Sequence, residues 1–322
     1  MAMQEVGKST LVKFIIKALQ VDESKVVYTS FTGKACQVLQ KKGNKNVSTL
    51  HKLLYNFIPL SNGTFIKTPK EELEYEIIVV DEVSMAPMEM MKQLFQYENI
   101  YVLCLGDPFQ LPPVDKEADN HLLDNPHIFL DEIMRQAAES EIIQLSMKIR
   151  EGQKIEPFKG KEVQIISKEE MTTGMLLWAD QILVGTNTTR VNINKQMRDL
   201  LGREKKPQDG DKVICLRNYW DILSSNGEPL VNGTIGFLKN SYETFSYLPQ
   251  WAGCQQNRID YIHSDFITDS NEIHSNLNMD KKQIMEGEKT LSNRDSYVLS
   301  RSWRTQNLVP FDFTYGYALT RT

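Results

Sequence analysis

Three groups of residues in this sequence are of types that handle phosphate. Val6-Gly7-Lys8-Ser9-Thr10 opens a stretch of helical period and reads as the end of a phosphate-binding loop, G-x-x-x-x-G-K-[ST]. In such a loop backbone N–H groups cradle phosphates, the lysine neutralises their charge and the hydroxyl holds Mg²⁺. Gly7, Lys8, Ser9 and Thr10 are thus the candidate nucleotide contacts, with Ser9 as a metal ligand. Taken alone, the four-residue string fits chance as well as it fits function. The second group is Asp81-Glu82, delivered by the apolar run Ile77-Ile78-Val79-Val80. Phosphoryl transfer uses such a pair, with Asp81 holding Mg²⁺ through water and Glu82 polarising the attacking water. The bland alternative is a buried strand that ends in a solvated acidic turn. The third group is Leu105-Gly106-Asp107-Pro108-Phe109-Gln110-Leu111-Pro112-Pro113-Val114. The Gln110 amide can hydrogen-bond a γ-phosphate or its attacking water, and the prolines stiffen the exit. A Pro-rich connecting loop is the competing reading.

The surrounding pattern supplies elements to position these groups. Short apolar runs at 26–28, 77–80 and 101–105 predict buried strands, and helical periods predict helices at 11–19, 34–40 and 88–96. Their alternation is that of a parallel α/β sheet. Ligands in such sheets bind at the carboxyl ends of strands, so Lys8 and the acidic pair are expected to face one crevice. A second set begins near Ala138, with a helix to Arg150, strands at 163–166 and 181–184, and a helix at 188–201. From Gly210 the pattern changes to strands and turns: 212–216, Asn226-Gly227, Asn232-Gly233 and 234–238, which predicts a small β insert. The polar stretch 271–294 reads as a weak helix or a loop.

Composition removes several function classes. At 322 residues the chain holds about two domains by the prior of roughly 100–200 residues each. With 41% hydrophobic, 25% charged and 9% aromatic residues it matches neither a disordered, a collagenous nor a coiled-coil chain. No uncharged apolar run reaches the roughly 18–20 residues that cross a bilayer, and Lys13 and Lys17 interrupt the apolar start. No membrane partner is therefore expected. Cys36, Cys104, Cys215 and Cys254 are far apart without a CxxC, which suggests neither zinc nor disulfides and fits a reducing interior. The net charge of −5 does not advertise nucleic-acid binding, although a local basic groove in an acidic protein still holds phosphates.

Thr32-Gly33-Lys34-Ala35, Ser48-Thr49-Leu50-His51, Asp81-Glu82-Val83-Ser84-Met85 and Gly106 to Val114 follow one another in an order and spacing that strongly resembles superfamily 1B DNA helicases of the RecD-like and Dda-like branch. The resemblance continues through Glu132-Ile133-Met134-Arg135-Gln136, Val184 to Arg190, Asp211 to Asn218 and Val231 to Gly236, and covers nearly the whole chain. It implies an α/β fold of two tandem RecA-like P-loop NTPase domains with parallel sheets, at 1–116 and 117–322. The first would carry a pin-like insertion at about 55–68, and the second an SH3-like β insert at about 225–305. The implied activity is ATP-driven 5′ to 3′ translocation on single-stranded DNA with duplex unwinding. ATP and Mg²⁺ would be the cofactors, and single-stranded and forked or tailed duplex DNA the partners. Single-stranded-DNA-binding or replication proteins would be further partners of a monomer in the cytoplasm of a bacterial or phage-infected cell.

By the same resemblance Lys8, Ser9, Asp81, Glu82 and Gln110 match nucleotide and Mg²⁺ positions. Arg135 matches an arginine finger, whose planar fork suits charge spreading over a γ-phosphoryl group. A helix-start salt bridge is its alternative reading. Thr32, Lys34, Thr49 and His51 match a single-stranded DNA track, where hydroxyls and a lysine suit phosphate contacts and His51 alone reads as a packed surface histidine. Asn187 and Arg190 match a second-domain motif, against the alternatives of a helix N-cap and a solvated arginine.

The departures from the family pattern are at the ends. The family loop reads G-x-[PA]-G-[TS]-G-K-[ST], so Ala2 and Glu5 stand where glycines belong, and a carboxylate there opposes triphosphate. The upstream strand is expected to be missing. Residues 311–320 resemble either the entry to a motif ending in His-Lys-x-x-Gly or, through Leu319-Thr320-Arg321, a later Thr-Arg motif; both readings stay open. The expectation is a helicase body trimmed at both ends. Its rivals are a degenerate relative that binds single-stranded DNA with little ATPase activity, and another P-loop enzyme such as a nucleotide kinase, which would leave Gln110 and Arg135 unused.

Overall fold

The computed structural model describes residues 4–60, 65–113, 119–130 and 140–320. Its contacts divide the chain into two compact units, Met1–Asn56 with Pro69–Met171, and Phe57–Thr68 with Thr172–Thr322. Among the described residues no helix is long and apolar enough to cross a membrane.

In chain order residues 4–171 form α1 (Gln4–Leu19), β1 (Val26–Ser30), α2 (Gly33–Lys41), β2 (Val47–Thr49), α3 (Leu50–Leu54), β3 (Tyr55–Pro59), β4 (Phe65–Pro69), β5 (Ile77–Asp81), α4 (Met88–Leu94), β6 (Tyr101–Cys104), α5 (Glu141–Arg150), β7 (Phe158–Lys159) and β8 (Gln164–Ile165). The hairpin strands β3 and β4, which form their own two-stranded sheet, are divided between the two units. The central sheet has the order β2-β1-β5-β6 with every pair parallel. This is the parallel α/β arrangement that the alternating apolar runs predict.

The unbroken apolar run of β5 follows from burial on both faces. Ile78 and Val80 join Val27 in a core with Leu50, Leu53 and Leu54 of α3 and Met90, Met91 and Leu94 of α4. Ile77 and Val79 join Val26 on the opposite face, against Val12 and Ile16 of α1. Each such side chain stabilises the sheet by about 1.5–3 kcal/mol relative to exposure. Helix α5 is held at its start by a reciprocal pair. Glu162 Oε2 accepts from the Ser140 hydroxyl and the Glu141 N–H, both at 2.9 Å, and Glu141 Oε2 accepts from the Glu162 N–H at 2.8 Å. These backbone donors, Glu162 first, hold the Glu141 carboxyl below the usual carboxylate range.

The second unit continues with α6 (Thr173–Trp178), β9 (Ile182–Leu183), α7 (Asn187–Leu200), β10 (Lys212–Cys215), β11 (Tyr219–Leu223), β12 (Pro229–Leu230), β13 (Ile235–Tyr247), β14 (Arg258–Thr268), β15 (Ile273–Asp280), α8 (Lys281–Glu286), α9 (Asn293–Ser300), β16 (Phe313–Tyr315) and β17 (Ala318–Leu319). Its largest sheet is antiparallel, in the order β15-β14-β13-β10-β16, while β9 and β17 pair in parallel. The whole is a mixed α/β architecture.

The stretch 271–294, expected as a weak helix or loop, is instead mostly strand β15 and helix α8. Two features hid the strand. Buried positions include His274 beside Leu277 and Met279, so a polar residue occupies a core site. The register against β14 also shifts between Ser264 and Phe266, with Asn276 at φ 60°, which breaks the two-residue period.

Helix α7 is tied to this sheet by polar groups. Asn194 is buried and acts as a strand would: its amide donates to Tyr315 O at 3.1 Å and Ala318 O at 3.2 Å, and accepts from Ala318 N at 2.7 Å. One turn on, Arg198 forks onto the fully buried Asp211, with Nε 3.1 Å from Oδ1 and Nη2 3.0 Å from Oδ2.

Candidate functional site

Register sets the site. Tyr28, Thr29 and Ser30 of β1 pair with Val47, Ser48 and Thr49 of β2, and Ser30 also stands opposite Asp81 of β5. Thr49, Ser30 and Asp81 therefore form one row across the carboxyl edge of the parallel sheet. The next residue, Glu82, has φ 56° and ψ 41°, a left-handed backbone that costs a side-chain-bearing residue of order 1–3 kcal/mol. Asp81 Oδ1 accepts from the Glu82 N–H at 3.0 Å, which secures the bend. The chain then turns inward, burying Val83 completely and leaving Glu82 half-exposed at the rim.

Groups beneath the row are quiet. Ser30 Oγ is buried and has no hydrogen-bond partner among the described residues. Burial pushes the Cys36 thiol up to about 11, with Asp81 adding repulsion, so Cys36 stays a neutral thiol and not a nucleophile. Cys104 is likewise raised by burial to about 11.

Past β6 the chain stays locked to β5, since Leu105 N donates to Val80 O at 2.8 Å and Val83 N donates to Leu105 O at 2.9 Å. Gly106 leaves room there for neighbouring side chains, since a Cβ would lie 2.7 Å from Leu123 Cδ1 and 3.1 Å from Val83 Cγ1 and would make them shift. Asp107 builds the following turn: its Oδ1 accepts from Phe109 N at 3.1 Å and its carbonyl from Gln110 N at 3.0 Å. Gln110 projects into solvent from that turn. Asn120 donates to Val83 O and Ala86 O at 2.7 Å each, which fixes the segment after Glu82. Asp107 stood in plain sight within the Gly106 to Val114 string, whereas the role of Asn120 had no sequence signal.

The other expected site residues fall as follows. Helix α1 starts at Gln4, so Gly7, Lys8, Ser9 and Thr10 lie inside its first two turns, and Lys8 is half-buried. Arg135 lies outside the described residues. Thr32 caps α2, its hydroxyl accepting from Ala35 N at 3.2 Å, and Thr49 caps α3, accepting from Lys52 N at 3.3 Å. Both keep an O–H to donate. Lys34 is exposed with its Nζ 3.5 Å from Gln37 Oε1, and His51 packs 5.4 Å from the Phe31 ring. Thr32, Lys34, Thr49 and His51 thus follow two adjacent strands at the edge that Asp81 terminates.

In the second unit Thr186, and not Asn187, is the N-cap of α7. Asn187 Oδ1 accepts from the Thr320 hydroxyl at 3.2 Å. Arg190 is half-buried with no hydrogen-bond partner on Nε among the described residues, and burial lowers its pKa from the usual arginine value.

Among the described residues no three His, Cys, Asp or Glu converge as a metal cage. Mg²⁺ in a nucleotide site takes one or two protein ligands and completes its shell with water and phosphate oxygens. The Asp81 carboxylate at the strand end is of the type such sites use.

A parallel α/β unit with a lysine in its first helix and an acidic pair ending a central strand is a P-loop NTPase unit. Residues 5–169, half of the chain, match the family model described as AAA domain. The chain belongs to this AAA domain family, and its motif series is that of the RecD type of superfamily 1B helicases. It is similar to uncharacterized protein R530 of Acanthamoeba polyphaga mimivirus, at 34% identity over 161 residues, covering 40% of this chain and 32% of that protein. It is also similar to the ATP-dependent RecD2 DNA helicase of Deinococcus radiodurans, at 33% identity over 151 residues, covering 46% of this chain and 21% of that protein. The matches thus span about a third and a fifth of these relatives. Among solved structures, the Pif1 helicase from Candida albicans aligns with a TM-score of 0.45 at 14% identity, covering 96% of this chain and 83% of that one. Pif1 from Bacteroides sp in complex with ADP-AlF4 aligns at 0.38 and 17% identity, covering 98% and 76%.

Proposed function

We propose that this chain is the motor body of a DNA helicase, which couples ATP hydrolysis to 5′ to 3′ movement on single-stranded DNA and to unwinding of forked or tailed duplexes. The observation that supports the reading is a shared edge: Asp81-Glu82 lie at the end of β5, and Thr32, Lys34, Thr49 and His51 lie at or just after the ends of the neighbouring parallel strands β1 and β2. Lys8 would neutralise β/γ charge, with Gly7, Ser9 and Thr10 beside the phosphates. Ser9 and Asp81 would hold Mg²⁺, which would offset the charge developing on the transferred phosphoryl group. Glu82 accepts a proton from the attacking water, Gln110 orients that water, and Arg135 stabilises the γ-phosphoryl oxygens. Asn187 and Arg190 add strand contacts from the second domain.

The domains of the motor are 1–116 and 117–322, with an SH3-like insert at 225–305. The stretch 55–68 serves as a strand-separating pin, a reading supported by Phe57, Ile58 and Ile66, each about half exposed on β3 and β4. Single-stranded-DNA-binding or replication proteins are proposed partners of this monomer.

DNA binding in this reading is directed at the backbone. Affinity should fall with salt and show little sequence preference, and Lys34→Ala should flatten the log K against log salt slope by about 0.7, the value of one released counterion on single strands. A titration showing marked preference for one duplex sequence would contradict it.

Glu5 makes the chain a weak ATP binder. A carboxylate at this loop position opposes triphosphate, so Glu5→Gly should tighten ATP by about tenfold, about 1.4 kcal/mol, in a fluorescent-nucleotide titration. Unchanged or weaker binding would clear Glu5 of that role.

A further inference from the structure

Arg150 is the last residue of α5, where a cation is favoured by the helix dipole. Its Nη2 lies 2.6 Å from Asp107 Oδ2, and its guanidinium sits 5.2 Å from the centre of the Phe109 ring. The Asp107 side chain is only 9% exposed and that of Arg150 21%. Asp107 thereby has both carboxylate oxygens engaged, Oδ1 by the Phe109 N–H and Oδ2 by Arg150, while its carbonyl takes the Gln110 N–H. Among the described residues, the backbone N–H groups of Phe109 and Gln110 both donate to Asp107, which shapes the turn under Gln110. The far end of α5 is fixed in turn by the reciprocal Glu141 and Glu162 pair.

From this geometry we propose that Arg150 is a positioning residue. It sets the conformation of the Asp107 to Gln110 turn and ties that turn to α5, the helix that follows Arg135 in sequence. The proposal rests on the nucleotide-site reading for its consequence, since Gln110 acts there on the attacking water. A part-buried ion pair with the guanidinium over an aromatic ring is suited to this, because the fork and the ring contact together constrain direction as well as distance. Apolar packing at the same place would hold the helix but leave the turn free to rotate. Lysine keeps the charge without the fork or the stack, so it should restore only part of the effect.

The test has two arms on the full chain. Amide hydrogen exchange is measured in the wild type, Arg150→Ala, Arg150→Lys and Asp107→Asn. In Arg150→Ala the amides of Phe109 and Gln110 should exchange at least about tenfold faster, the scale of a lost charge-assisted hydrogen bond, while those of Ile78 to Val80 keep their protection. Arg150→Lys should fall between. Asp107→Asn should match Arg150→Ala, and the double variant should be no worse than either single one.

In the second arm, steady-state ATP turnover of Arg150→Ala should show kcat lowered by about tenfold or more with KM within about twofold, since misplacement far from the reacting atoms acts on the transition state. Unchanged exchange at 109–110 overturns the proposal. So does faster exchange with unchanged kcat in a protein that turns over ATP. A wild type with no turnover at all refutes the nucleotide reading instead, and the exchange arm then still decides whether Arg150 sets the turn.

Discussion

Glu82→Gln should leave ATP affinity within about twofold and lower DNA-stimulated turnover by at least about 10²-fold, the lower scale for losing a positioned base. The variant isolates proton acceptance. Glutamine has the same length, and Glu82 already occupies a left-handed conformation held by the Asp81 carboxylate on its N–H, so the bend at the strand end does not depend on its charge. Val83 and Asn120 anchor the chain immediately after it. The amide can still hydrogen-bond water but cannot take its proton. Turnover equal to that of the wild type would remove Glu82 from the chemistry and return Asp81-Glu82 to a solvated turn.

Asp211→Ala should destabilise the second unit by about 3–5 kcal/mol, the cost of stripping one partner from a buried ion pair. Asp211 accepts from Arg198 through both oxygens, from the Tyr317 hydroxyl at 2.9 Å and from the Gln208 N–H at 2.9 Å. Arg198 in turn donates to the carbonyls of Glu204, Lys205 and Lys206 and lies 4.4 Å over the Tyr315 ring. Without the carboxylate, a guanidinium in a nearly closed site keeps only neutral acceptors. Domains hold about 5–15 kcal/mol in total, so the loss is a large fraction. The consequence reaches the proposed DNA contacts, because the helix that Arg198 anchors begins with Asn187 and Arg190. Urea unfolding followed by tryptophan fluorescence measures it; a change below about 1 kcal/mol would show that the pair is not a keystone of this unit.

Strands β1, β5 and β6 of the first unit were legible in the sequence as short apolar runs. Burial on both faces of β5 demands Ile77 to Val80 without polar interruption, and the carboxylates that end the run mark the edge. The second unit hid its sheet. Strands β13 and β14 are long but bulged, with a register shift between Lys239 and Tyr242 and Asn240 at φ 55°, so no steady two-residue alternation runs along them. Strand β15 buries a histidine and carries its own kink. The site shows the same split. Residue type and spacing pointed to Asp81, Glu82 and Gln110 as candidates, because each lies at or beyond the end of an apolar strand. The left-handed backbone of Glu82, the capping role of Thr32 and Thr49, and the link from Asp107 to Arg150 across 43 residues are properties of three-dimensional packing that no local pattern records.

The central claim is that this chain hydrolyses ATP through Lys8 and the Asp81-Glu82 edge, and does so faster when a single strand occupies the neighbouring edge residues. The most direct test is steady-state ATP turnover with and without single-stranded DNA, in the wild type and in Lys8→Ala. Turnover raised by the strand and lowered at least about 10²-fold by Lys8→Ala is the expected result. Single-strand binding without any turnover, or turnover indifferent to both DNA and Lys8, would contradict it.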